Sequence, residues 1–198
     1  MNPVDRALLD AAASGDAGAV RAALSGGAVV DVRDDHRRTP LLHAAIGDHT
    51  AAAQVLVTAG ADPNAQDDQL ASPWLVTGVT GSVAMMRILL PAGPDLTLRN
   101  RYGGVSVIPA AERGHVDYVR AVLDETDIDV NHVNRLGWTA LLEAVILGDG
   151  GRAHQEIVAI LLAAGADPRL ADRDGVTALE HAERHGYTEI AGLLKGAT

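Results

Sequence analysis

A phrase returns along this chain at nearly constant spacing, and that return limits the fold more than any other feature. Thr39-Pro40-Leu41 opens it, Ala44-Ala45 follows, and Leu56 leads to Ala59-Gly60-Ala61-Asp62-Pro63-Asn64. It restarts at Ser72-Pro73-Trp74 after 33 residues and at Val105-Ser106-Val107 after 33 more. Thr139-Ala140-Leu141 follows after 34, and Thr177-Ala178-Leu179 after 38. A period of this size belongs to a stacked array of small units, each too small to bury its own apolar face. A single closed globule does not produce it.

Each unit reads as loop, helix, tight turn, helix, loop. Thr39 is placed to cap a helix, its hydroxyl accepting a backbone N–H bond. Pro40 falls at the first helical position, where its missing N–H costs nothing. Leu41, Ala44 and Ala45 form an apolar face at helical spacing. A turn is predicted at Gly47-Asp48. A second helix carrying Ala52, Val55 and Leu56 ends at Gly60, which tolerates the left-handed conformation of a helix end. The same logic divides the chain into units of about 3–33, 34–66, 67–99, 100–133, 134–171 and 172–198. The first lacks the Thr-Pro start and the last ends after its second helix, so both read as caps. Stacking is expected to hide Leu41, Trp74, Val107, Leu141 and Leu179. Two irregularities stand out. Val105 cannot cap and Pro109 removes a backbone donor, so a distorted helix start is expected there. Asp149-Gly150-Gly151-Arg152-Ala153 reads as a five-residue insertion between two helices, either a tolerated loop or a binding element.

The phrase resembles the ankyrin repeat, with its Thr-Pro-Leu opening, its Ala-Ala pair and its Gly-Ala-Asp-x-Asn close. The C-terminal third is similar to one bacterial ankyrin subgroup over Val130–Thr139, Ile146–Gly151 and Ala171–Thr177. The resemblance implies an all-α ankyrin-repeat solenoid of about six stacked helix-turn-helix units with short hairpin tips, as a single domain over 1–198. It also implies a non-enzymatic protein-protein interaction module or scaffold, acting without a cofactor. Such a module meets its partner on a concave face made of the hairpin tips and the exposed side of the first helices.

Composition narrows the partner. The formal charge is −10, and Lys195 is the sole lysine. No basic stripe is visible for a nucleic acid, and an acidic surface repels anionic membranes. No run of 18 apolar residues marks a membrane span. The absence of cysteine removes disulfides and thiolate chemistry together. The first residues lack an export signal, so the expected compartment is the cytoplasm, although an exported protein whose leader had been removed would read the same. Another protein is the expected partner, and the chain is expected to act as a monomer.

The tip positions carry the candidate partner-binding residues. Trp138 occupies the variable place before Thr139, with Arg101, Tyr102, Arg135 and Leu136 on adjacent tips, and Ile146 and Leu147 on the groove side of the next helix. Trp, Tyr and Arg are enriched in interface hot spots. The other reading of Trp138 is packing over neighbouring tip backbone. Trp74 replaces the core Leu and is expected to be buried. The position after the usual repeat histidine carries Asp10, His43, Val76, Pro109, Glu143 and His181, a polar ladder. It is expected to bond to loops of adjacent units, or alternatively, with the insertion at 149–153, to serve a small-molecule or metal-linked activity. His181 and His185 share a helix face, but Ala182 stands where a zinc protease needs Glu, so a structural role is expected. His115 and His154 read as turn-stabilising. No phosphate loop or nucleophile elbow occurs, so no catalytic residue is expected.

Overall fold

The computed structural model describes residues 1–197, and among these the regular structure is helical. The chain forms two compact units, Met1–Arg101 and Tyr102–Thr198. The first holds α1 (Pro3–Ser14), α2 (Ala17–Ser25), α3 (Pro40–Ile46), α4 (Thr50–Thr58), α5 (Pro73–Thr80) and α6 (Val83–Leu89), closed by a 3-10 turn at Leu90–Ala92. The second holds α7 (Val107–Glu112), α8 (Val116–Glu125), α9 (Ala140–Ile146), α10 (Arg152–Ala163), α11 (Ala178–His185) and α12 (Thr188–Gly196). Each unit is two layers. First helices pack on first helices, α1 on α3 on α5 and α7 on α9 on α11. Second helices do the same behind them.

Four of the first helices, α3, α5, α9 and α11, begin where a hydroxyl caps them. Thr39, Ser72 and Thr139 each accept the N–H of the third residue on, Leu42, Leu75 and Leu142, at 3.2 Å, and Thr177 accepts that of Glu180 at 3.3 Å. At Val105 the pattern fails as expected. Ser106 adopts helical backbone angles without a side-chain cap bond, and its hydroxyl is buried without a partner. Ile108 N–H turns to the Val105 carbonyl at 3.1 Å, and α7 runs only six residues. Pro109 has no N–H to carry an i→i−4 bond to Val105, so that carbonyl takes the tighter one.

Leu41, Trp74, Val107 and Leu141 lie in the cores of their units, each at most 2% exposed. Burying one such side chain contributes about 1.5–3 kcal/mol. Trp74 is fully buried, as expected, at the cost of an indole N–H without a partner. Leu179 is the exception among the expected core residues. It stays half-buried, because α11 packs on α9 and α12 and no described helix covers its remaining side.

The insertion is not all loop. Asp149–Gly151 forms a turn, whereas Arg152 and Ala153 start α10, which runs twelve residues against nine in α4. Asp149 Oδ1 accepts Gly151 N–H at 2.8 Å, and Arg and Ala are strong helix formers once that turn is set. Only glycine fits at Gly148, where a Cβ would lie 2.1 Å from the Ala144 carbonyl oxygen.

Candidate binding surface

Four of the tips are each built on one short polar side chain. Asp34, Asp67, Asn134 and Asp172 each accept two backbone N–H bonds, from the second and the fourth residue on. At the tip that carries the candidate residues, Asn134 Oδ1 accepts Leu136 N–H at 2.9 Å and Trp138 N–H at 3.0 Å. Asn134 N–H donates in turn to the Trp138 carbonyl at 3.0 Å. The turn needs a left-handed residue, and Gly137 supplies it at φ 86°. This closed network fixes the backbone, so Leu136 stands 45% exposed on a rigid loop and Trp138 half-buried beside it.

Within the second unit the tips are tied to one another. Arg135 N–H donates to the Tyr102 carbonyl at 2.8 Å. The Arg135 stem lies over Gly103 and the Arg173 stem over Gly137; a Cβ on either glycine would sit 2.7 Å from the arginine Cγ. The Arg173 guanidinium donates to the Arg135 carbonyl. The structure thus brings Tyr102 (52% exposed), Arg135 and Leu136 onto neighbouring tips. It does not bring Ile146 and Leu147 to the same spot. They lie at the far end of α9 from Trp138, about 10 Å away at 1.5 Å per residue. Leu147 is 49% exposed there and Ile146 half-buried. Arg101 belongs to the first unit, where its guanidinium donates to Gln69 Oε1 at 3.1 Å.

The polar ladder does not run between repeats as expected. Three members, His43, Glu143 and His181, reach the tip of their own repeat, nine residues back, whereas Asp10 is exposed. His43 Nε2 lies 2.9 Å from Asp34 Oδ2, and His181 Nε2 lies 2.7 Å from Asp172 Oδ2. In the repeat of the candidate tip the chemistry is reversed: Asn134 Nδ2 donates to Glu143 Oε1 at 2.7 Å. Two tip acids, Asp34 and Asp172, are shifted toward the charged form. Against the cost of burial, the Arg38 N–H and His43 hold Asp34 below its ordinary range, and the Val176 N–H and His181 do the same for Asp172. Glu143 moves the other way. Burial first, then the Glu112 carboxylate, push it up to about 7, with the Asn134 bond opposing.

A family model for ankyrin repeats in three copies matches residues 3–67 and 75–172. The chain belongs to the ankyrin repeat family. An ankyrin repeat domain from Acinetobacter baumannii AYE is similar over 96% of both chains, at 49% identity and a TM-score of 0.92. The ankyrin repeat protein EF0377 covers 96% of this chain and 97% of its own, at 39% identity and a TM-score of 0.92. The putative ankyrin repeat protein YahD of Escherichia coli K12 is 50% identical over 103 residues, 52% of this chain. The match spans about half of that relative, 51% of its length. Ankyrin repeats are generally protein-interaction modules rather than enzymes.

Several ties in this ankyrin array were not anticipated from the sequence. Asn64 Oδ1 accepts Asp95 N–H at 2.7 Å, and Asn131 Oδ1 accepts Asp167 N–H at 2.8 Å, each joining the loops of successive repeats. The Asn of a shared Asp-x-Asn, Asp62-Pro63-Asn64 and Asp129-Val130-Asn131, was their signal. Arg33 and Gln66, 33 residues apart, each donate to a carbonyl one repeat ahead, at Gln66 and Arg99. His154 is turn-stabilising as expected, but from the first turn of α10: its Nδ1 lies 2.8 Å from Asp149 Oδ1 and its Nε2 3.0 Å from the Glu112 carbonyl. Tyr187 reaches back likewise, donating to the Gly148 carbonyl at 3.0 Å. His181 is tied to Asp172, and His185 meets the Tyr187 ring edge-on with centroids 5.1 Å apart. Among the described residues no group of three or more His, Asp or Glu is placed to hold a metal ion, and no helix is long and apolar enough to cross a membrane.

Proposed function

We propose that this ankyrin domain is a non-enzymatic adaptor that captures a bacterial protein partner on its hairpin tips and concave face. In the second unit the contact centres on Tyr102, Arg135, Leu136 and Trp138, with Ile146 and Leu147 deeper in the groove. Arg101 stands as a separate candidate contact on the first unit. The observation that carries this reading is the exposure of Tyr102, Leu136 and Leu147, each about half open to solvent, with Leu136 on backbone locked by tip hydrogen bonds. Exposed apolar groups on a preformed frame bind with little ordering penalty. A standard interface takes about 800 Å² per partner, which several adjacent tips can supply. A cytoplasmic monomer fits the acidic charge. The groups that would serve a ligand or metal at the polar ladder and the 149–153 segment are engaged in internal bonds.

The test is affinity capture from native bacterial lysate with Trp138→Ala and Leu136→Ala as controls. Hot-spot truncations cost about 2 kcal/mol or more, roughly thirtyfold in affinity. A single partner retained by the parent chain and lost by the variants, with unfolding midpoints nearly unchanged, supports the reading. Equal loss of capture and stability returns Trp138 to a packing role.

A further inference from the structure

We propose that the tip row of the second unit receives an acidic segment of its protein partner, one in which apolar side chains are interspersed with carboxylates. This partner chemistry rests on the reading above, that the tips capture a protein.

One construction occurs twice along the row. At the first tip Tyr102 stands 52% exposed, and the stem of Arg135 crosses the residue beside it, Gly103. At the second tip Leu136 stands 45% exposed, and the stem of Arg173 crosses Gly137. A Cβ on either glycine would sit 2.7 Å from the arginine Cγ, so the missing side chain is what lets each arginine lie down. Each tip therefore carries an exposed apolar group beside an arginine sent back from the tip that follows. The Arg173 guanidinium is held at its head as well, by its bond to the Arg135 carbonyl. That bond uses one of its five N–H donors. Among the described residues no carboxylate lies within ion-pair reach of Arg173. The acids of its own tip do not follow it: Asp172 is tied to His181 and to the Asp174 and Val176 N–H groups, and Asp174 stays on the tip that the arginine leaves.

The first unit does not repeat the construction. Its positions equivalent to Arg135 carry Asp35, Asp68 and Arg101, and those equivalent to Gly137 carry Arg37 and Leu70. Arg101 follows the tip with Leu70 in the glycine's place, and its guanidinium is engaged by Gln69 Oε1 at 3.1 Å. The formal charge of −10 opposes an acidic partner at long range. Screening at physiological ionic strength sets in over about 8 Å, so the groups at contact decide. Here those are guanidinium forks on stems already ordered, which a carboxylate can meet with two parallel N–H···O bonds. A basic segment would meet like charge at the same two places.

The test is an NMR titration of the isotope-labelled whole chain with a short peptide of Leu-Glu-Ser-Glu repeats, beside counterparts with Gln or Lys for every Glu. The acidic peptide should move the Arg135 and Arg173 Nε–H signals and the Leu136 amide in a saturable way, roughly tenfold more tightly than either counterpart. Arg173→Gln should weaken it by about threefold to tenfold at an unchanged unfolding midpoint. Arg152→Gln, at an exposed arginine on α10 away from the tips, should leave it unchanged. No saturable shift, equal binding of the three peptides, or an equal loss in Arg152→Gln overturns the acidic partner. A protein captured from lysate that binds Arg173→Gln as tightly as the parent overturns it too, while leaving the capture reading intact. If the lysate yields no retained protein, it is the capture reading that fails.

Discussion

Replacing Glu143 with Gln should alter how stability depends on pH, and the structure gives both the sign and the size. An ordinary glutamate titrates at 4.5, and in the fold Glu143 is pushed up to about 7 by burial and by Glu112. Below pH 4.5 the carboxyl is neutral in both folded and unfolded chains, and it carries no penalty. Between 4.5 and about 7 the unfolded chain has released a proton that the folded chain still holds, so stability falls as pH rises. Above 7 both are ionised and the fall stops. At about 1.4 kcal/mol per unit the full span is about 3 kcal/mol, a large share of the stability of a small domain. Other shifted acids do not blur the comparison. Asp34, Asp95, Asp149, Asp167, Asp172 and Glu180 are held below their ordinary ranges, so their contributions are complete above about pH 5 and are lost only on acidification. Asp31 is raised by burial, opposed by the Asp62 N–H. It lies in the first unit and is common to both proteins, so it cancels in their difference. Urea unfolding of the parent and Glu143→Gln proteins at half-unit steps from pH 5 to pH 8 measures that difference. The variant should gain on the parent by about 2–3 kcal/mol over the range, most of it before pH 7. Parallel curves would refute the reasoning, because a buried acid beside a second carboxylate cannot be indifferent to its own charge.

Three further substitutions probe the frame of the surface. Thr139→Ala removes the hydroxyl that accepts Leu142 N–H at a nearly buried cap, and it should cost about 1 kcal/mol in urea unfolding. Gly137→Ala places a Cβ at φ 86° and 2.7 Å from the Arg173 stem. It should cost about 1–2 kcal/mol, read as a lower thermal midpoint, and should displace the tip resonances in NMR. His154→Ala leaves the Glu112 carbonyl and Asp149 without their partner. It should cost about 1–3 kcal/mol, with faster amide exchange confined to the α9–α10 turn.

The parts of the fold that were legible are those one residue decides. A hydroxyl before a Pro-Leu, Pro-Trp or Ala-Leu pair starts a helix at Thr39, Ser72 and Thr139, and the failure at Val105 followed from its absence. What depended on neighbours was harder to read. Leu179 has the same sequence setting as Leu141, yet lacks a packing partner on one side. The insertion was placed wholly in a loop because spacing alone does not show that Arg152 and Ala153 lengthen a helix. For the surface, the period was enough to put Tyr102 and Arg135 on adjacent tips. It could not show that arginine stems lie across Gly103 and Gly137.

The polar ladder is the instructive misreading. Equal positions in successive repeats line up in a row with helix axes about 8–10 Å apart, but the ladder side chains find their partners closer to hand. Nine residues back along the same chain, the tip acid comes within 2.9 Å of His43 and 2.7 Å of His181. Once those two positions are seen as a pair, Asn134 with Glu143 is no longer two unrelated departures from a pattern. It is one coupled exchange in which the acid moves from the tip to the helix beneath it. A tip carboxylate that receives several N–H donors keeps its charge, whereas a carboxyl on the buried face of α9 is favoured without one. The same two chemical parts, exchanged between positions, put a charged acid at one tip and a buried carboxyl, pushed up to about 7, beneath the other.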